Sequence, residues 1–318
     1  MIQRTNVLVT GATGFVGQAL LNQVLKHEKF HLSAALRADC GFDMCRALMV
    51  GNFSENTNWS AALTDQHIVI HTAARAHIMK DEVAEPLAEY RKVNVEGTLN
   101  LARQAAGAGV KRFIFISSIK VNGEQTSLNK PFTTEDAPAP EDAYGISKLE
   151  AEQGLQQLAA KTGMELVIIR PPLVYGPGVQ GNFARMVWLA KKGLPLPLGA
   201  IHNKRSLVAL DNLVDLIITC IDHPAAANQV FLAGDGQDVS TTELLRGVAR
   251  AMDTPCRLVP VPVGLLQLGA TMLGKKAMAQ RLLGSLQVDI SKARKVLGWE
   301  PPLSVEQGLK RCFDDSVV

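Results

Sequence analysis

The 318-residue sequence predicts an α/β fold in which a parallel sheet carries helices on both faces. Short apolar runs alternate with helical patterns through the first half of the chain, as expected of consecutive β–α–β units. The predicted strands are 5–10, 31–36, 67–71, 112–117 and 165–170, and the predicted helices are 15–27, 86–107 and 142–162. Right-handed crossovers would bring the carboxyl ends of these strands to one edge of the sheet, where a ligand can bind.

The first predicted strand runs directly into a glycine-rich turn. Gly11, Gly14 and Gly17 lie three residues apart, and an apolar-periodic helix follows the turn. A backbone without Cβ atoms can approach a diphosphate closely, and the start of a helix offers free N–H groups and a positive dipole end. The turn therefore predicts a dinucleotide site in a doubly wound, Rossmann-type parallel sheet, although its spacing differs from Gly-x-Gly-x-x-Gly. A glycine turn without a ligand is the alternative.

The end of the second predicted strand bears on the choice of cofactor. In a dinucleotide fold an acidic side chain at this point binds the ribose 2′-hydroxyl of NAD. Positions 34–36 carry no carboxylate, and Arg37 instead offers a guanidinium that can pair with a 2′-phosphate. NADP(H) is therefore favoured. NAD(H) is the alternative if Arg37 is a surface residue and Asp39 reaches the ribose.

A tyrosine and a lysine four residues apart lie farther along the chain. Tyr144 and Lys148 would share one face of the predicted helix 142–162. A phenol has an ordinary pKa of about 10, and a neighbouring ammonium lowers that pKa by favouring the phenolate. Ser118 follows the predicted strand 112–117, where its hydroxyl can reach the same substrate oxygen. We interpret these three side chains as catalytic. A solvated helix face is the alternative for the tyrosine and lysine.

Together these features resemble the extended short-chain dehydrogenase/reductase family, in its branch of nucleotide-sugar epimerases, dehydratases and reductases. The matching motifs extend over nearly the whole chain, at 10–17 (TGATGFVG), 71–74, 94–98, 117–118, 144–148, 170–178 and 297–301. Pro and Gly residues interrupt regular structure near 171–181. The resemblance implies a dinucleotide-binding domain over 1–170 and a smaller substrate domain over 171–318, interleaved by returns to the sheet at 205–222 and 229–233.

The resemblance also implies two sets of binding residues. The cofactor would contact Gly11, Thr13, Gly14, Phe15, Val16, Gly17, Arg37, Asn52, Thr72, Ala73, Ala74, Asn94, Ser117, Tyr144, Lys148 and Pro171. A UDP-sugar would contact Ser118, Lys120, Asn182, Leu198, Arg205 and Arg281. Asn94 has a purely structural tie between helix and strand as its alternative role. Each arginine has a solvated surface position as its alternative.

Differences from the family's subgroups narrow the choice of reaction. Sugar-nucleotide 4,6-dehydratases carry Asp-Glu beside the Ser/Thr position, whereas this chain has Ile119 and Lys120 there, which excludes dehydratase chemistry. We favour an NADPH-dependent reductase of the C4 ketone of a UDP-4-keto-6-deoxy-N-acetylhexosamine, in the synthesis of bacterial surface polysaccharide. An NAD-dependent UDP-hexose or UDP-N-acetylhexosamine 4-epimerase is the alternative. A non-catalytic dinucleotide-binding sensor is a remote one.

The composition of the chain argues against several other classes of protein. The net charge of +3, with no lysine- or arginine-rich run, does not indicate a nucleic-acid partner. Five scattered cysteines indicate free thiols in the reducing cytoplasm and no metal site. The most apolar stretch, 258–273, contains prolines and glycines and is shorter than the roughly 20 residues that span a bilayer. It predicts a loop and then a buried or surface-lying helix, without membrane insertion.

Two further expectations concern the surroundings of the site. The segment 123–141, rich in Gly, Thr, Pro and acidic residues, predicts a mobile loop near Tyr144. The helices 86–107 and 142–162 carry apolar stripes, from which the resemblance implies a homodimer. Core packing against the sheet is the alternative reason for these stripes.

Overall fold

The computed structural model describes residues 4–76, 85–179 and 181–314. The strands found there are β1 (Thr5–Thr10), β2 (Phe30–Leu36), β3 (Arg46–Met49), β4 (Ile68–His71), β5 (Arg112–Ile116), β6 (Glu165–Arg170), β7 (Leu173–Tyr175), β8 (Arg205–Ala209), β9 (Gln229–Leu232) and β10 (Asp238–Val239). The α-helices are α1 (Phe15–Val24), α2 (Ser60–Leu63), α3 (Pro86–Arg91), α4 (Thr98–Gly107), α5 (Ala143–Thr162), α6 (Asn182–Lys191), α7 (Leu210–Asp222), α8 (Thr241–Ala251), α9 (Val263–Met272), α10 (Lys276–Leu283), α11 (Ser291–Leu297) and α12 (Val305–Arg311).

The main sheet has seven strands in the order β3-β2-β1-β4-β5-β6-β9. All its neighbouring pairs are parallel. The chain steps outward from β1 to β3 and then returns to β4 on the other side of β1. The order therefore reverses between β1 and β4, and such a reversal opens a crevice at the carboxyl ends of the strands. The predicted Rossmann-type fold is confirmed.

The predicted element boundaries agree closely with the structure. Each predicted strand is present, with ends that differ by at most one residue. The predicted helix 86–107 consists of α3, a π-helical segment at Lys92–Gly97, and α4. The sequence analysis missed β3, a four-residue edge strand in which no residue is buried. Without a buried apolar run, β3 has no pattern that distinguishes it from a loop.

Helices cover both faces of the main sheet because alternate strand residues point to opposite faces. Val7 and Val9 of β1 pack in one core with α1 and α7. Leu8, between them, packs in the other core with α4 and α5. Leu101 and Leu155, which belong to the predicted apolar stripes, lie fully inside this second core. Part of each stripe is therefore explained by packing within one chain.

The second half of the chain adds a smaller layer beside the crevice. A three-stranded sheet, β10-β8-β7, packs with α6, α8 and α12 around Tyr175 and Phe183. The expected return of 205–222 to the main sheet is wrong, because β8 belongs to this second sheet and is followed by α7. The return at 229–233 is confirmed by β9, which pairs with β6.

The structure also bears on the predictions made for the segments 123–141 and 258–273. Backbone hydrogen bonds tie 123–141 to the second half of the chain, from Thr126 to Ser285 and from Phe132 to Gln287. These bonds place the middle of the loop against 285–287, and its mobility stays a prediction. The apolar stretch 258–273 forms a loop and then the surface-lying helix α9. Within the described ranges, no helix has the length and apolarity needed to cross a bilayer.

Candidate active site

The glycine turn is packed so closely that two of its glycines have no room for a side chain. Gly11 has φ +71°, and a Cβ there would lie 2.6 Å from both the Ala73 backbone nitrogen and the Thr72 Oγ1. A Cβ on Gly17 would lie 2.1 Å from the carbonyl oxygen of Gly11. These contacts pack β1, α1 and the end of β4 closely together, so Thr72 and Ala73 lie beside the turn.

The turn leaves the N-terminus of α1 available to an anion. Gly14 precedes the helix in an extended conformation, no side chain caps the helix, and its first turn contains no acidic residue. Thr13 and Gly14 are exposed, whereas Phe15 and Val16 are half-buried and pack toward the protein interior. The backbone N–H groups of this turn can therefore meet a diphosphate, and the predicted dinucleotide fits the turn.

Asn94 ties the crevice wall to α5 from inside the π-helical segment. Its side chain accepts a hydrogen bond from the Arg75 backbone N–H (2.8 Å) and donates to the Arg75 carbonyl (3.1 Å). It also donates to Ser147 Oγ (3.0 Å), whose hydroxyl donates to the Tyr144 carbonyl (2.8 Å). Asn94 thus makes the structural tie considered above, and it joins the segment after β4 to the helix that carries Tyr144.

Lys148 is buried at the carboxyl end of β5. Its Nζ donates to the Ile116 carbonyl (2.8 Å) and lies 4.4 Å from the centroid of the Phe115 ring. The same Nζ is 5.9 Å from the centroid of the Tyr144 ring. The predicted pairing of Tyr144 and Lys148 on one face of α5 is therefore present, at the edge of the sheet that carries the crevice.

The electrostatics of this pair differ from the expectation. Burial, with the nearby Asp142 carboxylate, raises the pKa of Tyr144 above its ordinary value. Burial also lowers the pKa of Lys148 to about 7, against an opposing effect of Glu152. The expected lowering of the phenol pKa is wrong for this arrangement, because desolvation of the phenol and the Asp142 charge outweigh any effect of the Lys148 ammonium.

The two serines after β5 have different partners. Ser117 is buried, and its hydroxyl donates to Glu152 (2.5 Å), which forms a buried ion pair with Arg170. Ser118 is half-buried, and its Oγ accepts only a long contact from the Lys120 N–H (3.3 Å). The Ser118 hydroxyl is therefore the better placed of the two to bind a substrate oxygen. The hydroxyl of Ser117 supports the protein interior.

Lys120 is engaged in ion pairs. Its Nζ donates to Glu124 (2.7 Å) and to Asp142, which caps the N-terminus of α5. Burial lowers the pKa of Lys120, but the hydrogen bonds and charges of the two carboxylates outweigh it, and the net pKa is raised. Lys120 thus holds the start of the helix that carries Tyr144. A direct role in substrate binding remains a prediction.

The predicted substrate residues of the second half lie on neighbouring segments. Arg205 Nη1 donates to the Arg281 carbonyl (2.9 Å) and the Gly284 carbonyl (3.1 Å), which brings the two arginines together. Leu198 is half-buried, and its carbonyl accepts a hydrogen bond from Thr242 Oγ1 (2.6 Å). Asn182 is the first residue of α6, and its side chain lies outside the described set.

The remaining predicted cofactor residues lie at strand ends. Arg37 is exposed immediately after β2, and Asn52 is exposed beyond β3. Ala74 is half-buried two residues after Thr72. Pro171 is buried after β6, and its carbonyl accepts the Ile119 N–H (3.0 Å). Their roles toward a cofactor stay predictions.

Sequence reasoning noted His71 only within the motif 71–74 and did not anticipate the polar contacts beneath the site. His71 is buried between two hydroxyls, Thr10 Oγ1 (2.6 Å) and Thr98 Oγ1 (2.9 Å). Burial and the charge of Lys148 lower the pKa of His71 to about 3, so the imidazole is neutral. Glu152, two helical turns after Tyr144, bonds Ser117 and Arg170. The one available signal for Glu152 was its i+4 spacing from Lys148. Among the described residues no cluster of three metal-ligating side chains occurs.

Residues 7–234 match the NAD-dependent epimerase/dehydratase family. The chain belongs to this family. The match covers more than two thirds of the 318 residues and includes the glycine turn, both serines and the Tyr144–Lys148 pair. The resemblance drawn from the motifs is confirmed. The chain is therefore a member of a family of nucleotide-sugar enzymes with nicotinamide dinucleotide chemistry.

Individual relatives include several 4-epimerases. A UDP-glucose 4-epimerase from Vibrio cholerae is 52% identical over 307 residues, which are 96% of this chain and 94% of that protein. The structure of UDP-glucose 4-epimerase with UDP-glucose from Thermotoga maritima has a TM-score of 0.75 and 25% identity, covering 99% and 100% of the two chains. UDP-glucuronic acid 4-epimerase from Bacillus cereus, with UDP-glucuronic acid and NAD, has a TM-score of 0.78 at 20% identity over 98% of both chains. This last likeness shows the fold alone.

Proposed function

We propose that this protein is a UDP-hexose 4-epimerase that uses a nicotinamide dinucleotide held by the glycine turn. The observation that carries the proposal is the pair of half-buried Tyr144 and buried Lys148, at the sheet edge that also holds the turn, in a chain 52% identical to a UDP-glucose 4-epimerase. The relatives favour this reaction over the NADPH-dependent reductase expected from the sequence.

The chain's own residues would hold the cofactor at both ends of the crevice. The N–H groups of the turn at Gly11–Gly17 would bind the diphosphate, and Lys148 would bind the nicotinamide ribose. When bound, the oxidised dinucleotide supplies a hydride acceptor and a positive charge that favours the phenolate. Thr72 and Ala73, pressed against Gly11, would form the wall between these two positions.

Tyr144 would accept the proton of the C4 hydroxyl as the sugar is oxidised to a ketone. Ser118 would donate a hydrogen bond to the same oxygen, and Tyr144 would return the proton when the hydride comes back to the opposite face of the sugar. Burial lowers the pKa of Lys148 to about 7, and a negative charge on the nearby phenol would favour its ammonium form. Asn94 and Asp142 keep the start of α5 in place for this exchange.

The nucleotide part of the substrate would lie against the second half of the chain. Arg205 and Arg281 are adjacent and supply two positive charges for the diphosphate. Leu198 would pack against uracil, and Asn182 begins α6 beside the same layer. The sugar would then point from this layer toward Tyr144.

The reductase is retained as a second candidate because of one observation. Arg37 is exposed at the end of β2, and no carboxylate occupies positions 34–36. A guanidinium there favours a 2′-phosphate, and hence NADP(H), over the free hydroxyl of NAD(H). An epimerase recycles its cofactor, whereas a reductase must exchange it, so cofactor preference and reaction can be tested together.

The test is direct measurement of both reactions with the purified protein. We expect interconversion of UDP-glucose and UDP-galactose with NAD, and also of the two UDP-N-acetylhexosamines if the pocket admits the acetamido group. Net oxidation of NADPH by a UDP-4-keto-6-deoxy-N-acetylhexosamine, without epimerisation, would replace this proposal by the reductase. Tyr144→Phe should reduce turnover by about 10³-fold or more and change cofactor affinity by less than about threefold.

We further propose a homodimer in the cytoplasm. Helix α3, the π-helical segment after it and α5 offer half-buried apolar side chains, among them Leu87, Val93 and Leu149, that the core does not fully cover. All five cysteines are free, which suits a reducing compartment. Light scattering coupled to gel filtration measures the mass, and charged substitutions at these three positions should lower it.

A further inference from the structure

Helix α9 lies on the protein surface without burying any of its residues. Its ten residues, VGLLQLGATM, carry no charge. Leu265, Leu268 and Met272 are 57–80% exposed, and Leu273 immediately after the helix is 72% exposed. A surface helix of a soluble domain usually turns an apolar stripe inward and a polar face outward. In α9 the apolar side chains face outward, so they mark an interaction surface.

Three more exposed apolar side chains extend this surface. The segment around Leu196 pairs with the segment around Val259, through Leu196 N–H to the Arg257 carbonyl (2.9 Å) and Val259 N–H to the Leu196 carbonyl (2.8 Å). Leu196 lies opposite Leu258 in this parallel pairing, so Leu194 (55% exposed) and Val259 (47% exposed) are on adjacent segments, and Trp188 (56% exposed) lies on the preceding helix α6. Helix α9 begins four residues after Val259, a reach of at most about 14 Å. We call Trp188, Leu194, Val259, Leu265, Leu268, Met272 and Leu273 the apolar surface.

The two chain segments that carry the apolar surface contain charged residues of one sign only. The segments 182–205 and 254–288 contain no Asp or Glu, although the chain has 30 of these residues. The same two segments contain nine cationic residues, namely Arg185, Lys191, Lys192, Lys204, Arg205, Arg257, Lys275, Lys276 and Arg281. Exposed Lys191, Lys192, Arg257 and Lys275 form no ion pair with any residue that the structure describes.

We propose that the apolar surface docks on the face of a bilayer rich in anionic lipid. An uncharged apolar helix with an exposed tryptophan and a rim of lysines is suited to the boundary between headgroups and acyl chains. The anionic headgroups would neutralise the cationic rim, a complementarity that a second copy of this positively charged surface would lack. The protein would lie on the membrane without crossing it.

This docking would bring the predicted substrate layer close to the membrane. Helix α10 follows α9 directly, and its Arg281 carbonyl and the next Gly284 carbonyl bond Arg205. Docking depends on the exposed apolar side chains and the cationic residues, whichever nucleotide sugar is converted. Vesicle binding needs no substrate, so the docking and the proposed reaction fail or succeed separately.

The experiment uses the full chain and vesicles of phosphatidylcholine with or without phosphatidylglycerol. We expect sedimentation with the phosphatidylglycerol vesicles, weakened in 0.5 M salt because the electrostatic part is screened. The triple variant Leu265→Gln/Leu268→Gln/Met272→Gln should lose binding by at least tenfold. Lys191→Gln/Lys192→Gln should weaken binding about fivefold for each charge removed.

A matched control changes apolar side chains exposed elsewhere. Leu25 and Leu128 are 46% and 57% exposed and lie outside the two cationic segments, so Leu25→Gln/Leu128→Gln should bind the vesicles as the wild type does. Circular dichroism and thermal melting establish that each variant is folded. Equal loss of binding in the control and in the triple variant would overturn the proposal.

Tryptophan fluorescence reports the docking site directly. Trp59 and Trp299 are 1% and 4% exposed, so Trp188 is the one tryptophan of the three that vesicles can reach. Its emission should shift to the blue on adding phosphatidylglycerol vesicles and should be quenched by brominated lipid. Absence of vesicle binding would overturn membrane docking. A triple variant whose only change is a lower mass in light scattering would also overturn it, and would show that the surface joins copies of the chain.

Discussion

The crevice edge of the main sheet and the layer that faces it are constructed in different ways. At the crevice edge, Gly11 and Gly17 leave no space for a methyl group, and Asn94, His71 and Lys148 are buried with defined partners. In the facing layer, Arg205 is held by main-chain carbonyls, and Arg281 is exposed. The first region is therefore closely packed around the predicted cofactor site. The second region leaves the Arg281 side chain exposed beside the predicted substrate site.

Adding one methyl group to the glycine turn tests the close packing of the crevice edge and should have the largest effect. Gly17→Ala should reduce dinucleotide affinity by at least about 100-fold and destabilise the protein by a few kcal/mol, because the new Cβ would lie 2.1 Å from a backbone oxygen. Calorimetry and thermal melting measure the two effects. Gly107→Ala is the matched control, since no neighbouring atom lies within 4 Å of its Cβ, and it should change stability by less than about 1 kcal/mol. Equal behaviour of the two variants would refute the close-packing argument.

Replacing Lys148 should separate activity from stability. Lys148→Met should lower turnover by about 100-fold or more and raise the free energy of unfolding at pH 7 by about 1–3 kcal/mol, because a desolvated ammonium is removed while one carbonyl partner is lost. The folded pKa of about 7 lies below the unfolded value of 10.5, so the penalty is full below pH 7 and disappears as the pH rises to 10.5. Chemical denaturation at pH 7 and pH 10 should show this advantage shrinking. A variant less stable than the wild type at pH 7 would contradict it.

His71 should make the crevice edge sensitive to acid. Its pKa is lowered to about 3 in the folded protein, whereas the unfolded chain takes up the proton near 6.5. Between these values the unfolded state binds more protons, so stability should fall by about 1.4 kcal/mol for each pH unit below 6.5. Urea denaturation between pH 7 and pH 4.5 measures the slope. His71→Gln should flatten it, and an unchanged slope would assign the acid sensitivity to other groups.

The smallest expected effect lies in the facing layer. Arg281→Ala should raise KM for a UDP-sugar by about tenfold and change kcat by less than about twofold, because an exposed guanidinium would contribute to binding and not to the reacting atoms. Steady-state kinetics separates the two constants. Arg246→Ala, an exposed arginine on α8, is the control and should leave both unchanged. A fall in kcat with KM unchanged would mean that Arg281 acts elsewhere.

The sequence predicted most of the sheet because its strands carry strong local patterns. Buried apolar runs located β1, β2, β4, β5 and β6, and glycine spacing located the turn. The edge strand β3 has no such run, and the sheet that receives β8 is decided by distant partners. The same distinction applies to the site. The spacing of Tyr144 and Lys148 was visible along one helix, whereas the desolvation that sets their pKa values depends on the packing of the whole crevice.

Side chains that act through distant contacts were the hardest to predict. His71 and Glu152 each bond residues from other parts of the chain, and nothing in their local sequence shows it. Lys120 was expected at the substrate, but Glu124 and Asp142 engage its charge. The apolar stretch 258–273 predicted a loop and then a buried or surface-lying helix, and only the structure showed that α9 buries none of its residues.

The position of β9 has a consequence for how the protein is made. Strand β6, completed at Arg170, has an open hydrogen-bonding edge until Gln229–Leu232 pairs with it. During synthesis this edge stays unpaired until nearly sixty further residues have been made. Helix α7, which covers one face of the sheet, is among those residues. A fragment that stops at residue 170 would expose both an unpaired strand and an uncovered apolar face. The predicted domain boundary at residue 170 is therefore not a point at which the main sheet is complete.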